Sequence, residues 1–139
     1  MKLIRVALMA VAAVMATAAA AQKPAPIEYK IGIVNAQRVI KDSRVSKDMY
    51  QKLEADFKKR EKEIEGGPKA DIERRKAALN EDMDQRRADA LKQFIDKANA
   101  TIKRIAVAEK FDVVFLDAAY ANARIDLTDK VIKEIDAGR

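Results

Sequence analysis

Between Val45 and Lys110 the chain is one run of helix-forming, charge-rich sequence broken a single time, at Gly66-Gly67-Pro68. Glycine supplies the positive φ of a helix C-cap and proline cannot continue the preceding hydrogen-bond ladder, so the break predicts a reversal. Two long helices lying antiparallel are the consequence. From Lys58 to Ala90 the large apolar residues are only Ile64, Ile72, Leu79 and Met83, set among ten basic and nine acidic side chains. A helix pair that builds a globule needs a wide apolar stripe, and this pair lacks one. It must stand in solvent as an arm projecting from a small body.

The first arm starts near Val45 and places Tyr50, Leu53, Phe57, Arg60 and Ile64 at alternating spacings of three and four, a coiled-coil seam with one polar member. The second runs from about Lys69 to Glu109. Its seam is sparse through Ile72, Leu79, Met83 and Ala90, then dense through Leu91, Phe94, Ile95, Ala98, Ile102, Ile105 and Val107. At 1.5 Å per residue the arms measure about 30 Å and about 60 Å. The excess of the second helix, from Leu91 onward, therefore belongs to the body.

Around the hairpin, Tyr29 to Asn35 alternates and is rich in β-branched residues, which predicts a strand. Asn35 is placed to cap a short helix over residues 36–40. Beyond Lys110, Phe111 to Leu116 reads as a short strand of the buried kind, with Tyr120-Ala121-Asn122 as a further pairing segment. Thr128 is placed to cap a closing helix from Asp129 to Asp136. The fold class is α+β, predominantly α: a long antiparallel helical hairpin on a small β body. The expected division is a signal peptide over 1–21, then linker, strand and short helix over 22–44. The arm follows over 45–90, with its tip at 66–68, and the rest of the body over 91–139.

The signal reading rests on Lys2 and Arg5 before the apolar run Val6 to Val14, followed by Ala19-Ala20-Ala21 ahead of Gln22. Removing those residues lowers the formal net charge from +6 to +4 by taking away Lys2 and Arg5. The sequence has no cysteine, histidine or tryptophan, which excludes thiol chemistry, Ser-His triads and ordinary zinc sites. No enzyme activity and no cofactor are expected. A body this small without disulfides or metal gains stability by association, so an oligomer is expected.

Each remaining motif has two readings. Arg74-Arg75-Lys76 and Arg86-Arg87 can grip an anionic surface, or they are half of a solvated mixed-charge face. Nucleic acid is not expected, because no segregated basic stripe with aromatic groups is present. Met49, Tyr50, Phe57 and Met83 can offer an adaptable apolar surface to unfolded chains, or they zip the hairpin.

Lys30 to Asn35, Ile102 to Ala106 followed by Phe111 to Phe115, and Ile125 to Ile132 occur in that order after a signal sequence. Together they resemble the opening strand, the end of the long helix with its following strand, and the closing segment of the Skp/OmpH family of periplasmic chaperones. The resemblance implies a homotrimer of β bodies whose helical arms enclose a cavity. Unfolded outer-membrane β-barrel proteins would be held there without ATP, in the periplasm. It also implies lipopolysaccharide or an anionic membrane surface as a further partner, with the family's basic cluster falling on Arg75, Arg86 and Lys97 and with Arg87 adjacent. One family arginine position falls on Gln85 here. The arms are shorter than those of the best-known members by roughly three turns, judged from helix geometry. The alternative is an exported coiled-coil protein that spaces or tethers envelope components.

Overall fold

A computed structural model describes residues 28–138. The expected signal peptide and the linker up to residue 27 lie outside them. The element order is β1 (Ile31–Val34), α1 (Ala36–Asp42), α2 (Arg44–Ile64), α3 (Lys69–Ala108), β2 (Val113–Leu116) and α4 (Thr128–Asp136). The fold is α+β with a dominant helical hairpin.

Strands β1 and β2 are parallel, with Ile31 opposite Val113 and Val34 opposite Leu116. On its other edge β1 is held by the stretch before α4, since Ile33 N–H donates to the Ile125 carbonyl and Leu127 N–H to the Ile33 carbonyl, both at 2.8 Å. That stretch takes the place expected for Tyr120-Ala121-Asn122, which forms no strand. The physical reason is the turn at Asp117, which has a left-handed φ of 55°. Its N–H donates to the Val34 carbonyl and its carboxylate accepts from Ala36 N–H, each at 2.9 Å, so β2 ends at β1's end and the following residues leave the sheet.

One face of this sheet is covered. Gly32 lies so close to α4's approach that an added Cβ would stand 2.6 Å from Leu127 Cδ1. Val34 is fully buried with Val39, Phe94, Ala98, Ile105, Leu127, Val131 and Ile135 in one core. Along the body end of α3 the buried positions are Phe94, Ala98, Thr101 and Ile105, spaced four, three and four apart. Ile95 and Val107 fall off that stripe and are 38% and 72% exposed, contrary to the sequence expectation. The helix face is narrower than its run of apolar residues because the elements packed against α3, namely α2, α4 and β2, do not reach Ile95 and Val107.

Local capping shows why the elements start and stop where they do. Asn35 Oδ1 accepts from Arg38 N–H at 2.8 Å, the expected N-cap. Thr128 is not a cap: it is the first residue of α4, its N–H donates to Asp126 Oδ1 at 2.8 Å, and its buried hydroxyl accepts from Asn35 N–H at 2.9 Å. A threonine expected to serve its own helix instead ties that helix to the end of β1. Helix α3 ends in a Schellman motif, Phe111 N–H to the Ala106 carbonyl and Lys110 N–H to that of Val107, with Lys110 in the left-handed position.

Candidate binding surface of the arm and body

Helices α2 and α3 reverse through Gly66 and Gly67, the latter at a φ of +133° that side chains rarely tolerate. Pro68 precedes α3 in an extended conformation. Beyond the core the seam is thin. Leu79 and Met83 are buried, while Leu53, Phe57, Ile64 and Ile72 are half-buried.

Charge supplements this seam. Arg60 binds Asp82 at 2.8 Å and Asp56 at 3.1 Å, and Arg86 binds Asp82 at 2.8 Å and approaches Asp56 at 3.9 Å, an alternating four-membered bridge between the two helices. Lys76 reaches Glu61 at 4.0 Å nearer the tip. These groups are half exposed, so each pair contributes at most about 1 kcal/mol and is screened by salt. Arg60, the polar member of the predicted seam, is thereby explained: it sits where the arms are bridged by charge.

The four apolar candidates fall into different environments. Met83 is fully buried between the helices, so it packs the seam and presents no surface; the expectation of an open contact there is corrected by its burial. Phe57 and Met49 are half-buried, and Tyr50 is 41% exposed. Met49 is the member that borders open space. It lines, with Val45, Leu53 and Ala90, a groove of about 560 Å³ rimmed by Asp48 and Lys52. A smaller continuation of about 280 Å³ adds Gln93, Phe94 and Lys97. Both lie where the arm meets the body. Sequence reading did not single out Val45, Ala90 or Phe94 for this groove; the available signal was Ala90, too small at a seam position to fill the space opposite Val45 and Met49.

The basic candidates are likewise divided. Arg75, Arg86 and Lys97 are spaced by eleven residues, close to three helical turns, which places them along one side of α3 at intervals of about 16 Å. They form a stripe of separate charges and do not converge. Arg86 is occupied by Asp82 and Asp56, and Arg87 by Asp84 at 3.1 Å. Among the described residues, Arg75 and Lys97 enter no ion pair. On α2, the hydrogen bond from Lys58, and then its charge, hold the Glu54 carboxyl below its ordinary value.

A second surface lies on the sheet. Residues paired in register share a face, so Ile31, Ile33, Val113 and Phe115 lie on the side away from the core. Phe115 is 52% exposed. Strand β2 was expected to be buried, yet the described residues supply only one covering layer, and the other face stays open among them with Tyr29 and Tyr120 exposed at its ends. Among the described residues there is no cluster of three or more acidic side chains able to hold a metal ion.

An open apolar groove at the root of a charged helical hairpin, on a body with one uncovered sheet face, defines an α+β protein built around a projecting arm. The chain is similar to the OmpH-like family: the model for Outer membrane protein (OmpH-like) matches residues 67–135, from the tip to α4. Its fold is similar to that of a crystal structure from Caulobacter crescentus described as a candidate outer membrane chaperone (OmpH-like). The identity is 18%, the TM-score is 0.57, and the match covers 82% of this chain and 88% of that one. No curated protein matches the chain by sequence.

Proposed function

We propose that the protein is an ATP-independent holdase of the periplasm that binds unfolded outer-membrane β-barrel proteins between the arms of a homotrimer and prevents their aggregation. The observation that carries this reading is the arm root, where Val45, Met49, Leu53, Ala90 and Phe94 line an open apolar groove beneath a solvated charged limb. Shallow apolar contacts amid charge demand no fixed complementarity, which suits many unfolded sequences. The OmpH-like family and the description of the Caulobacter relative support it.

In this reading Met49, Tyr50 and Phe57 contact the client, and the bodies associate through the open sheet face. Arg75 and Lys97, free of ion pairs among the described residues, are the members of the basic stripe best placed to meet lipopolysaccharide or an anionic membrane surface. The test is light scattering by a denatured outer-membrane β-barrel diluted into buffer without nucleotide. Equimolar trimer is expected to suppress the signal at low salt and less so at high salt, where charge contacts are screened. Complete aggregation at low salt would overturn the proposal.

A further inference from the structure

The two helices of the arm are fastened to the body by different means. Helix α3 passes from tip to core without a break over 40 residues. Helix α2 is separated from α1 by one residue, Ser43, which is extended at φ −60° and ψ 132° and is at once the last cap of α1 and the first of α2. Rotation at Ser43 alone would swing α2 away from the body, since hinges need only a few element-terminal torsions.

Ser43 does not cap its own helix. Its hydroxyl donates instead to Asp136 Oδ1 at 2.7 Å, at the far end of α4. The same carboxylate accepts from Arg44 N–H at 3.0 Å and from Val45 N–H at 3.1 Å, the first orphan donors of α2. The Arg44 guanidinium returns a bond to the Asp136 backbone carbonyl at 2.8 Å. Four hydrogen bonds thus converge on a single residue that is 91 to 93 positions away in the chain. Ser43 and Ser46 are fully buried, and the Ser46 hydroxyl has no partner. Water is therefore kept from the Ser43 hydroxyl, which would be left without a partner if the Asp136 carboxylate were removed.

We infer that Asp136 is a positioning residue: by supplying the N-cap of α2 from the last helix, it locks the Ser43 hinge and braces the arm against the body at a second point. A lone continuous helix bends under load. Two struts fixed at separate points do not, so the direction of the arm, and with it the width of any space between arms, depends on this carboxylate.

The chain has no cysteine, so labels can be placed at will. Gly66→Cys is suited to the tip, because a Cβ there meets nothing within 4 Å, and Lys133→Cys marks an exposed site on α4. Pulsed EPR distances between spin labels at these sites, in protein diluted with unlabelled chain, read the arm's direction. The parent should give one narrow distribution. Asp136→Ala should widen it by about twofold or more, as expected for a released hinge, and Asp136→Asn, which keeps one acceptor oxygen, should restore part of the narrowing. Asp129→Ala, on the same helix but paired with Arg38 outside the clamp, should leave the width unchanged. An unaltered width in folded Asp136→Ala would overturn the inference, and so would equal broadening in Asp129→Ala. Should Asp136→Ala fail to fold, Ser43→Ala decides, because it removes one bond and spares the carboxylate; a parental width there would overturn the inference. The readout is geometric, so its failure is distinct from failure to hold an unfolded client.

Discussion

Two aspartates in the body show how single residues carry the fold. The Asp126 carboxyl is held below its ordinary value of 3.8 first by the hydroxyl of Thr128 and then by that residue's backbone N–H, against a smaller opposing effect of burial. For Asp136 burial pushes upward, but the N–H groups of Arg44 and Val45, the Ser43 hydroxyl and the Arg44 charge outweigh it, and the net direction is again downward. A carboxyl with a depressed folded-state value contributes stability above the unfolded value that is lost as pH falls through the folded one. Their contribution should therefore be intact above the ordinary value of 3.8 and be lost as pH falls below it, through the depressed folded-state values. Circular dichroism melts across that range should show a smaller drop for Asp126→Asn with Asp136→Asn than for the parent. An equal drop would place the acid sensitivity elsewhere.

At the scale of elements, the hairpin is held by less than the body is. Its seam buries only Leu79 and Met83 beyond the core, and the charge bridge around Asp82 is solvent-screened. Elements with few buried apolar contacts open at lower free energy than core elements. Met83→Ala should cost about 2–5 kcal/mol, the usual range for emptying a buried methionine site. Hydrogen exchange should register that loss in the amides of α2 and the distal half of α3, with little change in β1, β2 and α4. Equal acceleration in the body would mean that arm and body unfold as one unit. The sequence periodicity already distinguished the sparse from the dense part of α3. It could not say that Ile95 and Val107 lie off the buried stripe, because a helix does not reveal which of its apolar residues has a neighbour.

For the whole molecule, the uncovered sheet face is the dominant fact. Ile31, Ile33, Val113 and Phe115 form an apolar patch with no second layer among the described residues, and such patches on small bodies mark association surfaces. If the proposed trimer uses this face, Phe115→Asp should reduce the mass in solution from three copies to one while the helical signal of the arms persists. A trimer unchanged by that substitution would place the interface on another surface.

The helices, their reversal at Gly66-Gly67-Pro68, the β1 strand and the Asn35 cap were legible in the chain, because each follows from local periodicity and from backbone preferences that act over a few residues. The charged limb was legible for the same reason: no arrangement of its side chains yields a core. What neighbours in space decide was not legible. Thr128 serves β1 and not its own cap, Ile125 to Leu127 displace Tyr120 to Asn122 at the sheet edge, and Met83 is enclosed while Met49 borders a groove. Asp136 caps a helix that begins more than ninety residues earlier. Periodicity assigns a residue to a face, but only tertiary structure brings a partner to that face, and the partner determines whether a side chain is buried, bonded or left open.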